Sequence, residues 1–273
     1  MKIRLDQHIM ELGLAGSRNR AQELIKEGFV FTDQVFSLED AENSKNAFWS
    51  VINCKYDTGI EPENRFWNPG DNPKDIIKID KPHLSSKVIF DLITNQRFGE
   101  SLAKITNSKK IQVWHSQGVC KPPGGGHRGN AGWHRDIQYW PFWEPSGVLT
   151  AWIALTDVRP NSGPVRYIVG SNHWGDIEGT DFFNKDVKAQ DGMIRKYHKK
   201  YKIVDAVIPA GSISIHSSRT YHSSVENNSG SDRIGMVVHF ATDMAKRVNI
   251  SGEHSKYLDM LDDQSICPVI YDS

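Results

Sequence analysis

The run His134-Arg135-Asp136 places an imidazole and a carboxylate two residues apart. On an extended segment both side chains project to one side and can take adjacent positions on a divalent metal. A third ligand from a later strand would complete a 2-His-1-carboxylate facial triad. Such a triad leaves positions open on iron(II), as a reaction that binds a keto acid and dioxygen together requires. His216, His222 and His239 are placed to supply that ligand. His222 is preferred, because Arg233 follows it by eleven residues at the start of the last strong β-rich run. An inward-facing arginine there would grip a distal carboxylate as a bidentate pair, which lysine does less specifically. Ser224, two residues beyond His222 on the same face, offers a hydroxyl to the same carboxylate.

These residues need a rigid frame, and the texture of the chain from residue 111 onward provides one. Short β-rich runs occupy 111–120, 148–156, 165–169, 204–208, 212–216, 220–225 and 233–241. Turn chemistry separates them: Pro122-Pro123-Gly124-Gly125-Gly126, Arg159 through Pro164, Pro209-Ala210-Gly211 and Asn227 through Gly230. Strands punctuated this way predict an antiparallel sandwich or barrel with helices packed on one sheet, a mainly β fold with flanking helices. Upstream, helical spacing at residues 3–27 is broken near Gly13 and Gly16 and predicts two short helices, followed by a strand at Phe29-Val30-Phe31. Residues 56–80 are polar and rich in Pro, Gly and Asn, which predicts a long surface excursion. Helical periodicity returns from Ser85 to Phe98, with Ser85 or Ser86 as N-cap. The charged stretch 175–203 reads as a lid or a solvated insertion.

Three ordered blocks then share a local context. The first runs from Lys121 through Gly126 to Gly132-Trp133-His134-Arg135-Asp136 and Tyr139-Trp140-Pro141. The second is Trp152 through Asp157, continuing into Asn161 through Arg166 and Gly170-Ser171-Asn172-His173. The third is Gly211-Ser212 through Tyr221-His222-Ser223-Ser224, then Arg233. Together they resemble the phytanoyl-CoA dioxygenase family of iron(II)/2-oxoglutarate oxygenases over about residues 111–241, with Glu27-Gly28-Phe29-Val30 as an N-terminal block. The resemblance implies a double-stranded β-helix (jelly-roll, cupin-like) core with His134, Asp136 and His222 on iron. It implies Arg233 and Ser224 at the far carboxylate of 2-oxoglutarate, with Trp152 and Gln117 as further co-substrate contacts. It also implies a dioxygenase that uses O2, converts 2-oxoglutarate to succinate and hydroxylates a small organic substrate. Relatives that halogenate replace the metal carboxylate with a small residue, so aspartate at 136 favours hydroxylation. Two positions depart from the pattern: Asn172 separates Ser171 from His173, and Arg135 stands where relatives often carry glutamine.

The expected organisation is one oxygenase domain over 1–273: a helical and mixed part at 1–110, the β-helix core at 111–241 and a tail at 242–273. A formal net charge of +0 gives no global field to recruit nucleic acid or an anionic membrane. Cys54, Cys120 and Cys267 lack paired spacing, which speaks against a disulfide framework or a zinc site. With no apolar run of membrane-spanning length and no signal-peptide pattern, a cytoplasmic location is expected. Trp133, Tyr139, Trp140, Phe142 and Trp143 are available to line a substrate pocket. His127, Arg128, Arg135 and the basic run 195–200 hint at an anionic substrate. Two other readings compete with the oxygenase: a cupin-like metal-binding isomerase or binding module, and RNA binding through residues 1–35, which resemble a small ribosomal-type module.

Overall fold

The computed structural model describes residues 26–273, so the helices expected within 3–27 and most of the 1–35 RNA-binding segment lie outside the described residues. The described chain opens with strand β1 (Phe29–Gln34) and helix α1 (Leu38–Ile52), whose N-terminus is closed by a reciprocal Ser37/Asp40 capping box. Two short strands, β2 (Asn64–Arg65) and β3 (Ile77–Asp80), precede helices α2 (Pro82–Ser85), α3 (Lys87–Ile93) and α4 (Gln96–Thr106). The β-rich half follows as β4 (Lys110–Lys121), β5 (Ala131–His134), β6 (Val148–Ala154) and β7 (Val165–Ile168). Helix α5 (Val187–Tyr197) leads to β8 (Ile203–Asp205), β9 (Ser212–Ser217), β10 (His222–Ser224) and β11 (Arg233–Thr242). A short helix α6 (Lys256–Met260) and strand β12 (Val269–Asp272) end the chain.

Two antiparallel sheets face each other as the expected jelly roll. The larger has the order β1-β9-β6-β11-β4-β3-β2, with β12 also paired to β4; the smaller has the order β5-β10-β7-β8. The period-2 alternation of a strand sorts residues between the two faces of the larger sheet. Along β11, Ile234, Met236, Val238 and Phe240 enter the apolar cluster shared with helix residues Phe48, Val51, Phe98 and Leu102. The alternate residues Arg233, Val237 and His239 line an internal cavity between the sheets. The same sorting puts Ala151 and Ile153 of β6 on the helix side and Thr150 and Trp152 on the cavity side. In β9, Ile213 and Ile215 face the helices while His216 lines the cavity. Gly118 of β4 lies under the Phe48 ring: a Cβ there would sit 2.0 Å from Phe48 Cε2, so only glycine lets the helix layer close.

Three regions differ from the sequence expectation. The polar stretch 56–80 is no simple surface excursion, because Ile77 and Ile79 are buried and β3 pairs with β4 through the register Ile77↔Cys120 to Asp80↔Gln117. The single helix expected over 85–98 is three segments: the chain breaks at extended Ser86, then again at Thr94-Asn95, where the Asn95 side chain caps α4. Ser86 makes no side-chain cap hydrogen bond; its hydroxyl donates to Asp57 instead. The insertion 175–203 carries α5, which buries Val187 and Ile194 against Trp133 and Tyr221. No helix among the described residues is long and apolar enough to cross a membrane.

Candidate metal centre

His134 ends β5 and His222 begins β10, and these residues pair directly across the smaller sheet. Arg135 continues the extended backbone, and Asp136 then opens a 3₁₀ turn at Asp136–Tyr139 rather than lying on a strand. The alternation expected of the pair still holds through Arg135, whose guanidinium turns away to Asp176 and the Trp174 carbonyl. His134, Asp136 and His222 are buried, and one ligand atom from each lies within 4.8 Å of the others. His134 Nε2 lies 3.8 Å and His222 Nε2 3.5 Å from Asp136 Oδ1.

The outer contacts of these three residues fix which atoms remain for a metal. His134 Nδ1 lies 2.8 Å from the Gly132 carbonyl, and His222 Nδ1 lies 2.9 Å from the Thr220 carbonyl. A carbonyl can only accept, so both Nδ1 atoms donate and both Nε2 atoms keep their lone pairs for a metal. Burial pushes both imidazoles below their usual range, which keeps them in the neutral, ligating form. On the aspartate, Oδ2 accepts a 2.5 Å bond from Thr150 Oγ1 and a 3.0 Å bond from His216 Nε2. Oδ1 is left for the metal. Burial pushes the Asp136 carboxyl up, but the histidines around it outweigh that and hold it well below the usual carboxylate range. This donor set of two neutral imidazoles and one ionised carboxylate suits a divalent metal of the iron(II) type.

All three candidate histidines converge on Asp136, in different roles. The preferred His222 shares the metal face, whereas His216 binds the far oxygen directly. His239 Nδ1 lies 2.9 Å from Thr150 Oγ1 and so supports the same oxygen at one remove. Thr150 carried no sequence signal, since a threonine on a strand is unremarkable.

A narrow cavity of about 80 Å³ runs from the metal residues to Arg233 and is lined by Gln117, Thr150, Trp152 and Ser224. Arg233 is 2% exposed, has no acidic partner among the described residues, and leaves Nε without a hydrogen bond. Burial pushes it down to about 10, so it remains charged at neutral pH. Its guanidinium carbon lies 5.1 Å from the centre of the Trp152 ring. Lys121, fully buried, donates to Ser224 Oγ at 2.7 Å and to the Val225 carbonyl at 2.5 Å. Burial, with Arg233 nearby, pushes the Lys121 ammonium well below its usual range. Asp136 is the one acid among the residues lining this cavity. A buried arginine without an acid is costly, and a small dianion reaching from the metal to Arg233 would relieve that cost.

A wider cavity of about 220 Å³ opens on the other side of His134 and Asp136. Tyr139, Trp140 and Phe142 line it as expected, but Trp133 and Trp143 do not: Trp133 packs with Ile168 and Ile177, and Trp143 with Trp114 and Val148. Phe182 from the 175–203 insertion contributes to both cavities, edge-on to His134 at 5.1 Å. The last part of the chain adds His254 and Tyr257. None of His127, Arg128, Arg135 or the 195–200 run lines either cavity; Arg128 pairs with Asp75 and Arg195 with Asp191.

A family model described as phytanoyl-CoA dioxygenase matches residues 26–235. The chain belongs to the phytanoyl-CoA dioxygenase family. Peroxisomal phytanoyl-CoA dioxygenase of Bos taurus is 24% identical over 152 residues, which are 55% of this chain and 45% of that protein. The chain thus spans about half the length of the curated relatives it matches. Among solved structures, the non-haem α-ketoglutarate-dependent carbocyclase SnoK from nogalamycin biosynthesis superposes with a TM-score of 0.70 at 20% identity, over 93% of this chain and 96% of its own. EctD from S. alaskensis, solved with 2-oxoglutarate and 5-hydroxyectoine, gives a TM-score of 0.62 at 18% identity, covering 83% of this chain and 76% of its own. These likenesses establish the jelly-roll fold of the family's oxygenases for this chain.

Proposed function

We propose that this family member is an iron(II)- and 2-oxoglutarate-dependent dioxygenase that hydroxylates a small organic molecule. The observation that carries the reading is the line from the His134/Asp136/His222 cluster through the narrow cavity to Arg233, a buried guanidinium with no acid to pair with. The chemistry supplied by bound iron(II) is the use of O2 to convert 2-oxoglutarate to succinate and carbon dioxide, with the second oxygen atom placed on the substrate. His134 Nε2, His222 Nε2 and Asp136 Oδ1 would hold the metal, a donor set suited to iron(II). Thr150 and His216 fix the carboxylate from behind, so that Oδ1 is presented in one orientation. Arg233 receives the far carboxylate of 2-oxoglutarate as a bidentate pair, and Ser224, held by Lys121, adds a hydroxyl. Trp152 covers the guanidinium and keeps water from competing, while Gln117 borders both cavities. The substrate enters the wider cavity, and that the carboxylate at 136 is retained favours hydroxylation.

The reading is tested by following succinate formation from 2-oxoglutarate in purified protein. Formation that needs iron(II) and O2 and is lost in Asp136→Ala supports it. Iron-independent formation, or formation undiminished in that variant, would refute it.

A further inference from the structure

The wider cavity has a polar corner that nothing in the proposed handling of iron and 2-oxoglutarate uses. Asp80, at the end of β3, pairs across the sheet with Gln117 and lines this cavity together with His115 of β4. Asp80 is 5% exposed, and its Oδ1 has contacts with Lys78 Nζ at 3.5 Å and His115 Nε2 at 3.7 Å. Both distances are at or beyond the limit of a hydrogen bond, and neither Asp80 Oδ1 nor His115 Nδ1 has a hydrogen-bond partner. Buried polar atoms left this way are expensive unless a ligand completes them.

Around that corner the walls are aromatic. The Trp114 ring lies flat against His115 at 5.6 Å, and Tyr257 meets His115 edge-on at 6.2 Å. Phe142 stacks on Tyr257 at 5.0 Å, and Phe182 stands on the metal side. Lys78, the lysine of the lining, is already opposed by Asp80, and no arginine joins it. The corner therefore offers a carboxylate acceptor without surplus positive charge. At about 220 Å³ the cavity is smaller than the roughly 300–1,000 Å³ of drug-sized sites, which limits the occupant to one or two rings.

Taking the proposed reaction as its basis, we infer that the substrate is a neutral, ring-bearing compound anchored by a hydroxyl group that donates to Asp80 beside His115. The aromatic walls hold the ring, and the anchored hydroxyl orients it toward the His134 side of the cavity. A carboxylate or phosphate in the same place would meet the Asp80 charge.

The test uses three probes of one shape on the metal-free full chain: 5-indanol, indane and indane-5-carboxylate, with dissociation constants from ligand-observed NMR. The inference expects 5-indanol to bind about tenfold more tightly than indane, the size of a hydrogen bond to a charged group, and indane-5-carboxylate to bind weakest. Asp80→Asn should reduce the preference for 5-indanol over indane to threefold or less while leaving the affinity for indane unchanged. His115→Phe, which keeps the stacking on Trp114, is the second variant and should also reduce the preference. Equal binding of 5-indanol and indane, tightest binding of the carboxylate, or no binding of any probe would each overturn the inference. Because these measurements need neither iron nor 2-oxoglutarate, they stand apart from succinate formation. Probe preference without iron-dependent succinate would sink the proposed reaction alone, and the reverse result would sink the anchor alone.

Discussion

Replacing Thr150 by valine swaps a hydroxyl for a methyl of the same shape and isolates one contact behind the metal site. In the native protein Thr150 Oγ1 donates to Asp136 Oδ2 at 2.5 Å and accepts from His239 Nδ1 at 2.9 Å. Without it the carboxylate keeps only the 3.0 Å bond from His216 on that oxygen. A hydrogen bond to a charged group is worth about 1.5–3 kcal/mol, and loss of a comparable outer contact typically lowers metal affinity about 10–100-fold. Anaerobic titration of iron(II) should therefore show affinity reduced by about 10–100-fold in Thr150→Val. Thr150→Ser, which restores the hydroxyl, should stay near the native value. An iron(II) affinity for Thr150→Val within twofold of native would refute the role given to this hydroxyl.

Arg233→Gln removes the buried guanidinium and should weaken 2-oxoglutarate binding about tenfold or more, with iron(II) affinity unchanged; equal loss of both would mean that the arginine only supports the fold. Gly235→Ala would place a Cβ 2.1 Å from Trp152 Cζ2. It should lower unfolding stability by about 1–3 kcal/mol through overpacking, measured by denaturant midpoint, and should weaken 2-oxoglutarate binding through the displaced indole. His83, buried between Ser116 and the Ile266 carbonyl, is pushed down by burial to about 3. Because its folded value lies below the unfolded value near 6.5, the unfolded chain takes up the proton first as pH falls. Stability is therefore lost from about pH 6.5 down to about pH 3, at about 1.4 kcal/mol per pH unit for this group. His83→Asn should remove that part of the slope, and an unchanged slope would count against the assignment.

Much of the site was legible because strand alternation is strict where one face meets a core and the other a cavity. The β11 run reads Ile234, Met236, Val238 and Phe240 on one side and Arg233, Val237 and His239 on the other. The spacing from His222 and the resemblance pointed to Arg233, and this alternation is what turns it inward. Spacing to Arg233 favoured His222 over His216 and His239, but it could not show what the other two do, because all three reach the same carboxylate. What separates them is which ring nitrogen is spent on a backbone carbonyl, a property of loop geometry at Thr220. The corner at Lys78 and Asp80 was hidden for a different reason. Its strand is four residues long inside a polar stretch, and the alternating Ile77 and Ile79 were its only signal. The strand Val269–Asp272 carried a similar short β-branched signal at the end of the chain. Lys121 opened the first block of the resemblance, but nothing in the sequence marked it as buried, and only the fold around it buries it completely.

The central claim is that one metal site holds 2-oxoglutarate by chelation with its far end on Arg233. The most direct measurement is anaerobic addition of iron(II) and then 2-oxoglutarate to the full chain, watched for the weak visible charge-transfer band of a chelated keto acid. The account predicts a band in the native protein that disappears in His134→Ala and in His222→Ala, and that needs more 2-oxoglutarate in Arg233→Gln. Iron(II) bound without any band would contradict chelation, and failure to bind iron(II) at all would contradict the metal centre itself.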